Sequence, residues 1–170
     1  ALLALCASLP VGVVGALVGM GGVSKTYFQV CEIIGAATGR TVLGHFTPTR
    51  PMKVLALFAE DPDAELHRRI NRTVSTIFPH LDAETRTLLF ENLHVKSVMG
   101  LAKPLMRQNG GNPERTESFD WLRATLDRHG NLDFLVLDPK SRFYGLDENN
   151  NDHNTAWVSC LEEIVSERNL

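Results

Sequence analysis

Cysteine is scarce in this sequence: Cys6, Cys31 and Cys160 are the three, and they stand far apart. Their spacing excludes a disulfide-stapled scaffold and any paired zinc motif, and reads as reduced, core-type thiols of a cytosolic protein. Surplus basic charge is missing too. Seventeen Lys and Arg against twenty Asp and Glu leave a net charge of −3, which argues against a globally basic nucleic-acid binder but leaves room for a local basic path or a charged channel inside an assembly. The first 18 residues are strongly apolar, yet Pro10, Gly12 and Gly15 interrupt them, so no membrane span is expected there. Ala1–Leu9 lacks the basic segment of a secretory signal, so none is expected there, and Leu3-Ala4-Leu5 ahead of Cys6 makes a poor lipoprotein site. There is no internal repeat and no interdomain linker. The run Asp147-Glu148-Asn149-Asn150-Asn151-Asp152 lacks the glycine and terminal glutamate of a calcium loop.

What is present is an ordinary globular balance, 44% hydrophobic and 22% charged over 170 residues, enough for one domain with its own core. The chain begins on Ala1 without an initiator methionine and stops abruptly at Leu170. The expectation is a single domain over 1–170, incomplete at both ends.

The most informative stretch is Gly19-Met20-Gly21-Gly22-Val23-Ser24-Lys25-Thr26, followed by Tyr27. It lies between an apolar run, Val13–Val18, and a helical pattern that continues to Thr38. Strand, glycine-rich turn, then a helix opened by Lys-Thr is the context of a phosphate-binding loop. Glycines let backbone N–H groups approach an anion, and the helix start adds its dipole. Lys25 brings a point charge to the β- and γ-phosphates, and the Thr26 hydroxyl is suited to Mg²⁺. The pattern G-x-x-x-x-G-K-[ST] is met at Gly19, Lys25 and Thr26, while Ser24 stands where its last glycine belongs. A plain glycine-rich turn opening a helix is the competing reading of the same residues.

Further along, Val13–Val18 predicts a buried central strand and Lys53–Ala59 a second one, ending in Glu60-Asp61-Pro62. Carboxylates at the carboxyl end of a buried parallel strand lie where open α/β sheets hold ligands, although Asp61 or Asp63 could equally cap the next helix. Helices are predicted over Ala64–Ile77, Asp82–Phe90, Glu117–His129 and Asn154–Arg168, and strands over Leu93–Val98 and Asp133–Asp138. Met99–Thr116, locally basic through Lys96, Lys103, Arg107 and Arg115, and Pro139–Asn151 read as loops. Asp138, ending four apolar residues, has the form of a second Mg²⁺-site carboxylate or of a helix cap. The alternation of strands and helices predicts an α/β fold with a mostly parallel sheet.

Glu60-Asp61 after Leu57-Phe58-Ala59, Leu66 and Arg69 downstream, the strand Phe134–Asp138, and Arg142-Phe143 with Asp147-Glu148-Asn149 resemble the AAA_25 branch of RecA-like ATPases, whose best-known members are hexameric plasmid helicases of the RepA type. The resemblance runs from about Leu9 to Val165. It implies a three-layer RecA-like P-loop NTPase, a mostly parallel central sheet flanked by helices. By it, Gly19–Thr26 is the nucleotide loop, Lys25 contacts the phosphates, Thr26 and Asp138 hold Mg²⁺, and Glu60 orients the attacking water. Arg69 matches a position linking nucleotide state to a neighbouring strand, and Asp61 and Arg142 join as further candidates. Implied with these are ATP and Mg²⁺, a ring-shaped homo-oligomer (a hexamer), single-stranded DNA, a cytoplasmic setting and a replicative helicase. A nucleotide-regulated assembly module that does not translocate, and a scaffold with a decayed loop, are the alternatives.

Overall fold

The computed structural model describes residues 12–18, 25–44, 47–168 and 170. Gly19–Ser24, the greater part of the expected phosphate loop, lie outside the described residues.

The centre of the molecule is β1 (Val54–Phe58), five apolar residues, all buried. Its side chains alternate between two faces, and each face has its own core. Val54, Ala56 and Phe58 pack with Ile33, Ile34 and Leu66 on one side. Leu55 and Leu57 pack with Phe119, Leu122 and Phe143 on the other. A strand covered on both faces is uniformly apolar, which is what makes this run readable as central. β1 pairs in parallel with β2 (Leu93–Ser97) on one edge and β5 (Phe134–Asp138) on the other, giving the order β2-β1-β5.

One outer layer is α1 (Lys25–Thr38), α2 (Asp63–Ile77) and α3 (Ala83–Asn92). α1 is buried at every position from Val30 to Thr38, packed against both the sheet and its two neighbouring helices. It stops at Gly39, whose φ of +65° suits glycine and whose absent side chain admits the Pro51 backbone. α2 is amphipathic as predicted, with Leu66, Ile70, Val74 and Ile77 on the core side. Its start is capped by neither expected aspartate: Pro62 is the cap residue and makes no side-chain bond. The Asp63 carboxylate instead accepts from the Ser97 backbone N–H at 3.0 Å. α3 begins at Asp82, which accepts from the Thr85 N–H at 2.7 Å.

The opposite layer holds α4 (Glu117–His129) and α6 (Asn151–Arg168). Two further elements stand where loops were predicted. Met99–Thr116 contains an antiparallel hairpin, β3 (Met106–Asn109) and β4 (Asn112–Arg115), turning at Gly110-Gly111. Pro139–Asn151 contains a five-residue helix, α5 (Lys140–Tyr144). Two of the four basic residues expected here are paired, Arg107 with Glu114 and Arg115 with Glu163.

The expected strand Val13–Val18 joins no ladder. Val14 leans on the second core, but Val18 is 87% exposed. A cavity of about 720 Å³, lined by this segment and by β5, with Gln29, Glu32 and Trp157, takes the place of backbone pairing. An apolar run becomes a strand only where a neighbour offers N–H and C=O groups at hydrogen-bonding distance.

Candidate nucleotide site

The parallel register places Asp138 beside Phe58, the last residue of β1. Ala59 N–H then donates to the Asp138 carbonyl at 2.8 Å, so the two chain ends leave the sheet together. Glu60 and Asp61 follow directly on β1, and Pro139 and α5 on β5. The carboxyl edge thus gathers Glu60, Asp61 and Asp138 at one end of the molecule.

α1 brings its first turn to the same place. The Thr26 hydroxyl donates to Asp138 Oδ2 at 3.1 Å across 112 residues of sequence. Burial pushes the Asp138 carboxyl up from its ordinary value. The Thr26 hydrogen bond counteracts this, the charges of Glu60 and Asp61 add to it, and Lys25 opposes it. All five groups therefore share one electrostatic neighbourhood.

The flanking carboxylates are held differently. Asp61 receives an Arg69 N–H at 2.7 Å, and Arg69 also reaches Glu65 at 2.8 Å. The Ser97 hydroxyl donates to the Asp61 carbonyl at 2.7 Å. Asp61 is thereby fastened to α2 and β2. Glu60 receives the Arg142 Nε–H at 3.3 Å. Arg69 and Arg142, set 73 positions apart by their numbers, each answer one member of an adjacent acidic pair. Tyr27 is 47% exposed and its phenol is pushed up first by Cys31, then by burial, which puts the ring beside Cys31. Gly19, Met20, Gly21, Gly22, Val23 and Ser24 belong to the undescribed segment.

Three site features escaped the sequence. Ser97 ends β2 and ties down the Glu60-Asp61 corner, but a serine closing a strand carries no signal of its own. Glu32 sits within α1 at 7% exposure, and burial pushes its carboxyl up to about 7. A lone acid inside an otherwise apolar helix was its available signal. The third is the seat of α5. The Phe143 carbonyl accepts from the Leu105 N–H at 2.7 Å and from Trp157 Nε1–H at 3.4 Å.

Thr26 and Asp138 form a hydroxyl–carboxylate pair of hard oxygen ligands at the opening of a helix. Among the described residues no cluster of three or more His, Cys, Asp or Glu side chains could hold a metal. A cation at this pair would take most of its ligands from water and phosphate, which is the coordination Mg²⁺ favours. The residues fit that ion.

A parallel sheet flanked by helices, with lysine and hydroxyl at a helix start facing strand-end carboxylates, defines a P-loop ATPase of the RecA-like α/β kind. The family model of the AAA domain designated AAA_25 matches residues 5–170. The chain belongs to that family of nucleotide-binding P-loop ATPases, whose members generally use ATP with Mg²⁺ and commonly oligomerise and bind nucleic acids. No curated protein matches the chain significantly. Among the described residues no helix is long and apolar enough to cross a membrane.

Proposed function

We propose that the protein is an ATP-hydrolysing RecA-like motor domain acting on single-stranded DNA, a replicative helicase of the RepA type working as a ring-shaped homo-oligomer. The observation that carries this reading is the Thr26–Asp138 contact, with the charges of Lys25 and Glu60 near enough to act on Asp138.

In this reading Gly19–Thr26 cradles the triphosphate and the Lys25 ammonium balances its charge. Thr26 and Asp138 hold Mg²⁺, which when bound supplies positive charge to the phosphate oxygens. Glu60 accepts a hydrogen bond from the attacking water and orients it in line with the terminal phosphorus. Asp61 has the same chemistry but is committed to Arg69 at 2.7 Å, so the water belongs to Glu60. Phosphoryl transfer asks the protein for positioning and charge, and these residues provide both.

The test is ATPase activity with and without single-stranded DNA, read beside solution mass. The reading expects hydrolysis stimulated by DNA in an oligomer, and loss of nucleotide binding in Lys25→Ala. Hydrolysis indifferent to DNA returns the protein to a nucleotide-regulated assembly role. Nucleotide binding unchanged by Lys25→Ala overturns the site.

A further inference from the structure

The Glu60 side chain is 54% exposed and stands past the end of β1, where no ladder holds the chain. A glutamate there has three rotatable bonds and water on most sides. A group that must hold a water in line cannot wander by an ångström without cost to the rate. Among the described residues, the one hydrogen bond given to its carboxylate comes from Arg142 Nε at 3.3 Å, and it falls on Oε1. Oε2 is left to accept from water.

The backbone beneath Arg142 is, by contrast, fixed. α5 follows Pro139 directly and ends at Gly145 with φ +70°. A Cβ at Gly145 would run into the Met106 carbonyl and the Pro104 ring, so α5 is seated hard against the base of the β3–β4 hairpin. Phe143 and Tyr144 are buried at 0% and 2% exposure. The Lys140 ammonium lies over the Tyr144 ring at 4.1 Å and donates to Asn154 at 3.1 Å, so the helix's other cation faces α6. The Arg142 side chain reaches from this base to Glu60, just past the end of β1.

We propose that Arg142 is the positioning residue for Glu60: a guanidinium on the rigid α5 seat sets where the Glu60 carboxylate stands, through its Oε1, while Oε2 serves the water. The pair is half-exposed at both ends, 58% and 54%, so it biases the side chain rather than locking it. Glu60 can therefore still adjust when nucleotide arrives. The inference rests on the assignment of Glu60 given above.

The experiment is steady-state and single-turnover ATP hydrolysis by the full chain and by Arg142→Ala, Arg142→Lys, Glu60→Gln and the Glu60→Gln/Arg142→Ala double variant, with melting temperature as the folding control. Arg142→Ala is expected to lower kcat about tenfold with KM for ATP within about twofold, and Arg142→Lys to recover part of the loss, since lysine restores charge but not the directed Nε–H. In single turnover the double variant is expected to be no more than about twofold slower than Glu60→Gln, because a residue acting through Glu60 has nothing left to position. Unchanged kcat in Arg142→Ala, a change confined to KM, or a loss that multiplies fully with Glu60→Gln overturns the proposal. Wild-type turnover in Glu60→Gln removes the assignment of Glu60 itself. A slow Glu60→Gln beside a full-speed Arg142→Ala removes only the role of Arg142.

Discussion

The Thr26 hydroxyl and the Asp138 carboxylate meet at 3.1 Å although they come from opposite ends of the chain. The contact ties the start of α1 to the end of β5, two elements with no other hydrogen bond between them among the described residues. Burial pushes the Asp138 carboxyl up, and the Thr26 hydrogen bond is the foremost effect working the other way. Thr26→Ala therefore removes the proposed Mg²⁺ ligand and pushes the carboxyl of its partner up further. The expected outcome is a loss of about tenfold or more in affinity for Mg²⁺-ATP, which corresponds to about 1.4 kcal/mol. Binding of ATP in EDTA should change much less. Titration calorimetry under the two conditions checks this, and equal losses with and without Mg²⁺ would refute it.

Glu32 sets a pH dependence of its own. Its carboxyl is raised to about 7 by burial in α1, from an ordinary 4.5. Between those values the folded protein holds a proton that the unfolded chain has released, so stability falls as pH rises from about 4.5 to 7 and stays low above. Glu32→Gln, neutral at every pH, should be more stable than wild type at pH 8 and about equal at pH 4.5. The gap at pH 8 is on the order of 3 kcal/mol. Urea unfolding of both proteins at the two pH values measures it.

His129 works in the opposite sense. Its ring faces His94 with centroids 5.3 Å apart, and burial, then His94, Arg128 and Lys96, depress its basicity. The unfolded chain binds the proton more readily, so the stability contributed by neutral His129 is present above pH 6.5 and is lost as pH falls below it. His129→Gln should flatten this acid-side loss while leaving stability at pH 8 close to wild type. Opposite slopes in Glu32→Gln and His129→Gln between pH 5 and 7, each measured against wild type, are the signature. A slope of the wrong sign in either variant contradicts the assignment of that residue.

Gly145 is where the second core meets the site. Its φ of +70° and the close approach of Pro104 and the Met106 carbonyl leave no room for a methyl group. Gly145→Ala should cost at least about 2 kcal/mol, the left-handed penalty plus displacement of the hairpin base. Gly110→Ala, also at positive φ but with open space around it, should cost less than half as much. Chemical denaturation of the pair separates crowding from backbone conformation.

The two elements that escaped the sequence, α5 and the hairpin, share a physical reason. α5 has five residues, too few for a helical period to register. The hairpin strands Met106–Asn109 and Asn112–Arg115 are mostly polar and show no alternation, so Asn109-Gly110-Gly111-Asn112 read as one more turn in a loop. What makes them structure is tertiary: Leu105 N–H on the Phe143 carbonyl and Thr116 N–H on the Leu105 carbonyl, at 2.7 and 3.0 Å. β1, β5 and α2 were legible because their apolar patterns answer to faces that are in fact buried. Val13–Val18 carried the same pattern but pairs with no strand among the described residues, and sequence alone does not distinguish those cases. At the site, the grouping of Lys25, Thr26, Glu60 and Asp138 followed from motif order. The partition of the acidic pair between Arg69 and Arg142 did not, since it depends on which way adjacent side chains leave a bend.

That partition gives the sharpest contrast between neighbouring residues. Asp61 is 19% exposed at its side chain and bonded to Arg69 at 2.7 Å, while its carbonyl is held by Ser97. Its carboxylate is engaged in keeping α2 against the sheet corner, with Glu65 on the same guanidinium at 2.8 Å. Asp61→Asn weakens one arm of that network and leaves the amide oxygen able to accept from Arg69, so the expected loss of stability is about 1 kcal/mol. Turnover should stay within about threefold of wild type. Glu60→Gln keeps the fold and nucleotide binding but removes the group proposed to orient the water, and turnover should fall by about 100-fold, within the range for a lost general base. Steady-state ATPase assays and thermal melts on the two variants decide the matter: the stability loss should follow Asp61 and the activity loss Glu60. If the activity loss follows Asp61 instead, the Arg69 bridge must open during turnover and the roles of the two carboxylates exchange.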